Sequence, residues 1–155
     1  MSSELIPLLD TTYLLPFFGI EIRVEQVRQH LSHLLASGRR MLYHPLSLVE
    51  AKWVILSMER TGKPSLRASF IEGLDALLAD KRFKSFPLTS KSVEENADRL
   101  LDEGLKDYFD RMLACTAYSL QATLLTEDEE LLNPKGPLRI LHGLRVMTVG
   151  MFVRK

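Results

Sequence analysis

Short apolar runs and longer stretches with a helical period alternate along this sequence. Four of the runs end at polar or turn-forming residues, as buried strands do, and a fifth near the C-terminus alternates less clearly. Pro87 lies within the third run, which places that strand near an edge of the sheet because proline cannot donate a ladder hydrogen bond. The pattern predicts strands at residues 6–9, 41–43, 83–88, 123–126 and 145–149.

The longer stretches carry apolar residues at spacings of three and four, which is typical of amphipathic helices. Gly38, Gly62 and Gly104 follow three of these stretches, where a helix commonly ends. Ser92 and Glu95 form a capping-box pattern at the start of the fourth. The pattern predicts helices over residues 24–35, 45–60, 66–78, 93–101 and 108–120.

The order of these elements indicates the fold class. Strands alternate with helices through the whole chain, which predicts an α/β protein whose mainly parallel sheet is covered by helices on both faces. The chain has 155 residues, of which 46% are hydrophobic, so a substantial core can form without disulfides or a structural metal. We expect residues 1–155 to form a single domain.

Composition bears on location through the cysteine count and the N-terminal sequence. Cys115 is the sole cysteine, so no disulfide can form within the chain, and its apolar neighbours favour a buried packing role. The hydrophobic stretch 5–22 is interrupted by Asp10, Pro16 and Glu21, which argues against a signal peptide and a membrane span. The sequence therefore predicts a cytoplasmic protein without membrane contact.

The formal net charge is zero, but the charges are unevenly distributed. Residues 39–91 hold ten Lys or Arg against five acids, whereas residues 92–131 hold three against eleven. An acidic pocket beside a basic flank would suit a metal site that also holds a polyanion. An ordinary salt-bridged surface would have the same composition.

Two acidic residues follow predicted strands. Asp10 comes directly after the first apolar run, and Asp128 follows the run that ends at Thr126. Parallel strands end at a common edge of the sheet, where α/β proteins place their ligands. Each aspartate could also serve simply as a helix N-cap, and the acid-rich neighbours Glu129 and Glu130 fit a helix start.

Two further acids lie beside apolar helix positions. Glu50 has Trp53 and Val54 at helical spacing, and Asp110 has Leu113 and Ala114. A carboxylate without a partner on such a face is costly, and a cation or a neighbouring arginine would remove the cost. For Asp110 there is also a structural alternative, in which Asp107 is the N-cap of its helix and Asp110 adds charge to the first turn.

Placed above one sheet edge, these four carboxylates would repel each other unless a cation neutralised them. Hard oxygen ligands favour Mg²⁺ or Mn²⁺. Zinc is disfavoured, because the chain offers one cysteine and four histidines without zinc-site spacing. The four candidate ligands are Asp10, Glu50, Asp110 and Asp128.

The same four residues lie in segments that resemble the PIN-domain family. The matching segments are residues 8–12 (LLDTT), 47–50 (SLVE), 110–117 (DRMLACTA) and 124–128 (LLTED), in the family's order. The resemblance implies a three-layer α/β/α sandwich and a metal-dependent ribonuclease, with the four acids as catalytic metal ligands. Hydroxyl groups that orient these carboxylates or a water would come from Thr11, Thr12 and Thr126.

The resemblance also implies partners. RNA is the expected substrate, and small PIN proteins of the VapC type act as toxins that are paired with an antitoxin protein. The hydrophobic stretch 14–18 suggests a homodimer, while no aromatic platform for stacking single-stranded RNA is evident. The alternative function is a PIN-like module that binds RNA or assists assembly without catalysis.

Overall fold

The structure is a computed structural model that describes residues 5–155. Within that range a five-stranded sheet has the order β3-β2-β1-β4-β5, and every pair of neighbours is parallel. The predicted parallel sheet is confirmed. The strands are β1 (Pro7–Leu9), β2 (Met41–Tyr43), β3 (Phe83–Lys84), β4 (Thr123–Leu125) and β5 (Arg145–Met147).

Helices connect the strands, and all five predicted helices are present. The α-helices are α1 (Thr11–Leu14), α2 (Glu25–Ala36), α3 (Pro45–Arg60), α4 (Arg67–Ala79), α5 (Lys91–Asp102), α6 (Tyr108–Ser119), α7 (Glu129–Leu132) and α8 (Val149–Val153). Two 3-10 helices, Leu15–Phe18 and Pro137–Ile140, complete the described elements. Gly38 ends the turn after α2 with a positive φ of 73°, which glycine adopts without strain.

Two hydrophobic cores lie on opposite faces of the sheet, so the fold has three layers. Leu9 of β1 belongs to a core shared with α2, α3, α4 and α8. Leu8 points to the other face and packs in a core with α5, α6 and α7. Successive strand residues alternate between faces, which is why one short strand contributes to both. The three-layer α/β/α fold expected from the sequence is confirmed.

The order of the strands positions the candidate site. The chain adds β2 and β3 on one side of β1 and later returns to add β4 and β5 on the other side. Ligands of open α/β sheets bind at the carboxyl ends of strands where the strand order reverses. Here that point lies between β1 and β4, and Asp10 and Thr126 are the first residues beyond these two strands.

Three predicted boundaries differ from the structure by two residues or more, and the others agree within one residue. The edge strand β3 spans Phe83–Lys84 instead of residues 83–88, and Pro87 lies beyond it, where it cannot extend the ladder. Helix α5 is capped by Ser90, whose hydroxyl accepts a hydrogen bond from the Val93 backbone N–H at 3.3 Å, so Ser92 is not the cap. Strand β5 ends at Met147 because Thr148 caps α8.

The hydrophobic stretch 14–18 is largely internal. Leu14 and Phe18 are fully buried, and the chain here packs closely on α4 at Gly73, where a Cβ would stand 1.9 Å from the carbonyl oxygen of Phe17. Packing within one chain therefore explains the hydrophobicity that suggested a homodimer, and the dimer itself stays a prediction.

Between residues 5 and 155, no helix has the length and apolar character needed to cross a membrane.

Candidate active site

A pocket of about 440 Å³ opens at the carboxyl edge of the sheet, and all four predicted acids line it. They reach it from four different elements, namely the ends of β1 and β4 and one face each of α3 and α6. The chain brings together carboxylates that lie up to 118 residues apart in sequence. The lining residues are Asp10, Thr11, Thr12, Leu15, Glu50, Val54, Asp107, Asp110, Glu127 and Asp128.

Asp10 is held by the strand that it follows and by two hydrogen bonds to its carboxylate. Its backbone N–H donates to the carbonyl of Leu125 on β4 at 3.0 Å. One carboxylate oxygen accepts from the Thr11 backbone N–H at 2.6 Å, and the other accepts from the Thr126 hydroxyl at 2.6 Å. Burial raises the pKa of Asp10 despite these hydrogen bonds. Asp10 is thus both the N-cap of α1 and a wall of the pocket.

Asp128 is connected to Asp10 through the hydroxyl of Thr126. That hydroxyl donates to Asp10 and accepts a hydrogen bond from the Asp128 backbone N–H at 3.0 Å. The Asp128 side chain caps α7 by accepting from the backbone N–H groups of Glu130 at 2.8 Å and Leu131 at 3.2 Å. Its cap geometry fixes this carboxylate at the mouth of the pocket, where it is exposed.

Glu50 is connected to the same group through Thr11. The buried Thr11 hydroxyl donates to a Glu50 carboxylate oxygen at 2.5 Å, while the Thr11 backbone N–H binds Asp10. Burial raises the pKa of Glu50, with a further increase from the charge of Asp10. The predicted apolar stripe around Glu50 is wrong in one respect, because Trp53 is 59% exposed and the buried face of α3 carries Ala51 and Ile55.

Asp110 lies in the first turn of α6 and is half-buried. Asp107 is the N-cap of this helix and accepts from the backbone N–H groups of Phe109 at 2.8 Å and Asp110 at 3.2 Å. Burial, followed by repulsion from Asp107, Asp10, Asp128 and Glu50, raises the pKa of Asp110 to about 7. The pocket therefore concentrates more negative charge than these carboxylates tolerate by themselves.

Thr12 and two further acids complete the pocket. Thr12 is exposed and, in the part of the chain that the structure describes, makes no hydrogen bond to the four acids, unlike Thr11 and Thr126. Glu127 accepts a hydrogen bond from the buried Tyr13 hydroxyl at 2.5 Å. Glu127 and Asp107 were not predicted as pocket residues, although each lies within three positions of a predicted one. Asp107 fits a helix N-cap and Glu127 fits an acid-rich helix start, so neither pattern pointed to the pocket.

The residues fit a hard divalent cation in charge and donor type. The donors are carboxylate oxygens, the ligands that Mg²⁺ and Mn²⁺ prefer, and a cation would relieve the repulsion that raises their pKa values. Within residues 5–155, no three acidic, histidine or cysteine side chains already surround a common point where an ion could sit. A single ion would therefore need side-chain rotation or bridging water, and Mg²⁺ typically retains several waters.

A second cavity, of about 540 Å³, lies near the amino ends of the strands. Its lining includes Ile6, Tyr118, His142 and Arg145, and among the described residues it contains no carboxylate. Catalytic sites need convergent polar groups with perturbed pKa values, which are found at the acidic pocket instead. The acidic pocket, although smaller, is the candidate active site.

Comparison with known proteins gives one family and a shared fold. The sequence profile of the family described as PIN domain matches residues 8–136. No curated protein sequence is significantly similar to the chain. Among solved structures, a protein from Pyrobaculum aerophilum is 16% identical with a TM-score of 0.58, covering 97% of this chain and 88% of that one.

Two other similar structures are complexes. The VapBC2 complex of Rickettsia felis, bound to a DNA fragment from its promoter, contains a chain that is 17% identical with a TM-score of 0.60. A toxin–antitoxin complex from Klebsiella pneumoniae contains one that is 17% identical with a TM-score of 0.55. Each match covers 92% of this chain and 97% of the other. At such identities the likeness shows a common fold.

Proposed function

Because this chain belongs to the PIN-domain family, whose members are generally nucleases, we propose that it is a divalent-metal-dependent ribonuclease. The substrate would be an RNA phosphodiester bond, and the nucleophile would be water. The observation that carries the proposal is the convergence of four carboxylates from four elements in one pocket at the carboxyl edge of the sheet. Such a cluster is electrostatically unfavourable without a cation.

The four acids would share the work of holding Mg²⁺ or Mn²⁺. Asp10 and Asp128, which Thr126 connects, would be the principal ligands, and Glu50 and Asp110 would contribute directly or through water. A bound divalent ion supplies activation of water and stabilisation of charge on the phosphate oxygens. The hydroxyls of Thr11 and Thr126 orient the carboxylates that they contact, as outer hydrogen-bond partners of metal ligands do.

The chain's own residues also set the protonation state of the pocket. With a pKa of about 7, Asp110 carries a proton in a large fraction of ion-free molecules at neutral pH. Deprotonated Asp110 would be the form that holds a cation, so ion binding should strengthen as the pH rises through 7. No side-chain nucleophile is required, since the carboxylates would position the attacking water.

The decisive experiment compares cleavage of structured and single-stranded RNAs by the wild type and by Asp10→Asn, with Mg²⁺ or Mn²⁺ present. The substitution removes charge while nearly preserving shape, and we expect a loss of at least about 100-fold. Asp75→Asn is the matched control, because Asp75 is exposed on α4 and outside the pocket. Equal cleavage by all three proteins would contradict the assigned site. If no protein cleaves RNA or binds a divalent ion, the non-catalytic module is the better account.

We further propose that the protein is the toxin of a VapBC-type pair and forms a homodimer. Two of the similar structures are toxin–antitoxin complexes, which supports the toxin role through shared fold, whereas the homodimer rests on the resemblance to the family alone. Induced expression should arrest growth with the wild type and not with Asp10→Asn at matched protein levels. Normal growth with active protein would contradict the toxin role, and a monomer by light scattering at micromolar concentration would contradict the dimer.

A further inference from the structure

One large aromatic side chain stands in solvent beside the acidic pocket. Trp53, the single tryptophan of the sequence, is 59% exposed. Tryptophan is usually well buried, and the outward stripe of a surface helix is normally charged or polar. On α3 that stripe instead begins with Val49 and Trp53, both of which are exposed. The core does not bury this indole, and together with Val49 it forms an exposed apolar surface of the kind that marks a contact site.

The position of Trp53 relates it directly to the pocket. It follows Glu50 on α3 by three residues, which is about 4.5 Å along the helix axis. Its ring meets the ring of Phe109 edge to face, with the centroids 5.6 Å apart and the planes at 80°. Phe109 directly precedes Asp110 on α6. The two aromatic residues therefore lie next to the helix-borne acids, just outside the residues that line the pocket, and this pair is here named the aromatic wall.

The edge-to-face contact prepares the indole for a ligand. An aromatic pair in this geometry is favourable beyond its burial, so Phe109 restrains the Trp53 side chain. More than half of the Trp53 surface, 59%, stays accessible to solvent. A restrained ring that is exposed to solvent loses little conformational entropy when a second planar group stacks on it.

The charge along the same helix face suits a nucleic acid strand. Arg60 lies seven residues after Trp53, about 10.5 Å along the axis and on the same side of α3. Arg60 is exposed, and among the described residues it has no ion-pair partner, whereas nearby Arg67 is paired with Glu59. The face thus presents a carboxylate, an aromatic ring and a cation in succession. This succession suits a strand whose phosphate lies at the pocket, whose next base lies at Trp53 and one of whose later phosphates lies near Arg60.

We propose that the aromatic wall stacks an unpaired base of the RNA strand next to the phosphate bound at the acidic pocket. The inference rests on the proposed ribonuclease function and narrows its substrate to single-stranded RNA or unpaired loops. An unpaired base offers its π-face to an aromatic side chain, whereas a base inside a duplex is covered on both faces. The sequence alone showed no aromatic platform for stacking RNA bases, and the exposed indole of Trp53 would supply one.

Fluorescence tests the inference directly, because all tryptophan emission comes from Trp53. The test uses Asp10→Asn protein, which is expected not to cleave RNA, at a Mg²⁺ concentration high enough to offset its weaker ion binding. The ligands titrated into it are single-stranded oligouridylate, an abasic ribose-phosphate chain of equal length and an RNA duplex. We expect saturable quenching by the single strand and little by the other two. Binding of the single strand, followed by anisotropy of a labelled oligonucleotide, should weaken about 5-fold to 100-fold in Trp53→Leu. Trp53→Phe should restore most of it, and Tyr118→Leu, an exposed aromatic site outside the pocket, should change nothing.

Cleavage in the wild-type background separates this inference from the proposed function. If the enzyme cleaves RNA but Trp53→Leu leaves binding and KM unchanged, the stacking role is overturned and the ribonuclease stands. If RNA quenches Trp53 but no cleavage occurs, the aromatic wall is upheld and catalysis fails. Trp53 emission could instead be unchanged by RNA and shift with protein concentration. That result would mean that the aromatic wall contacts another copy of the chain, which also overturns the inference.

Discussion

The two ends of helix α6 differ in what holds them. From Met112 to Ala117 the helix is almost wholly inaccessible to solvent and packs in the core with α5 and β4. In its first turn, Asp110 is half-buried among other carboxylates and has a pKa raised to about 7. One end of the helix stabilises the fold, and the other end holds charges that repel each other.

The contrast indicates how the acidic pocket is tolerated. Small side chains such as Ala114 and Cys115 let α6 approach β4 closely, and the packing of this end fixes the helix axis. The first turn of α6 is therefore held in place by the rest of the helix, although its acids repel each other. Active sites commonly sacrifice stability in this way, so substitutions at the two ends should have opposite effects on the free energy of unfolding.

The largest expected change in stability is at the buried end. Leu113→Ala removes a side chain that is 1% exposed and leaves a cavity, which should lower the free energy of unfolding by about 2–5 kcal/mol. Urea denaturation followed by circular dichroism measures the loss. Leu101→Ala on α5, where the leucine is 45% exposed, is the control with the same chemical change and should cost much less. Equal losses would contradict the assignment of this end of α6 to the core.

At the other end of α6, Asp110→Asn should stabilise the ion-free protein. Removing the charge ends the cost of burying it and relieves repulsion from Asp107 and Asp10, and partial solvation limits the gain to about 1–2 kcal/mol. The same variant should lose cleavage. Thermal unfolding in a chelator shows the gain as a higher Tm, and Asp75→Asn should leave Tm nearly unchanged. A lower Tm for Asp110→Asn would mean that its charge is favourably paired, contrary to the account.

The pH dependence should be smaller still, and its sign follows from the acids. The pKa of Asp110 rises from 3.8 to about 7 on folding, so the folded state holds more protons than the unfolded state between these values. Asp10 and Glu50 shift in the same direction, mainly through burial. In chelator, stability should therefore fall as the pH rises towards 7. His44 opposes the trend, because burial lowers its pKa and acidification below 6.5 favours the unfolded state.

Denaturation of the wild type and Asp110→Asn at pH 5.5 and pH 7.5 isolates the contribution of Asp110. The variant should show a smaller loss of stability between the two pH values than the wild type. The His44 contribution is common to both proteins and cancels in the comparison. A pH dependence that Asp110→Asn leaves unchanged would place the titrating groups elsewhere in the molecule.

The fold could be predicted from the sequence because the apolar periodicity agrees with burial in most elements. The segment 41–43 was predicted as a strand and is β2, and the helix predicted over 45–60 is α3. The prediction of helix caps failed where a neighbouring residue of the same type could also cap the helix. Ser90, two positions before the predicted cap Ser92, is the residue that caps α5. At the sheet edge, β3 is only two residues long because pairing ends before Pro87.

The four acids of the candidate site could be predicted from the sequence, but the exposed aromatic surface beside them could not. Strand ends and apolar helix flanks indicated four carboxylates, and the structure gathers them in one pocket. Trp53 was missed because its spacing from Glu50 resembles that of a core residue. Periodicity cannot tell a buried indole from one held at the surface by Phe109 on another helix, since that contact joins residues distant in sequence.

Calorimetric titration of Mn²⁺ at pH 7 asks whether the acidic pocket is a divalent-cation site. We expect saturable binding by the wild type with release of protons, seen as a heat that varies with the ionisation enthalpy of the buffer. Asp10→Asn should weaken binding by at least about 10-fold, and Asp75→Asn should bind normally. If the wild type bound no Mn²⁺, or Asp10→Asn bound it equally well, the acidic pocket would not be a cation site.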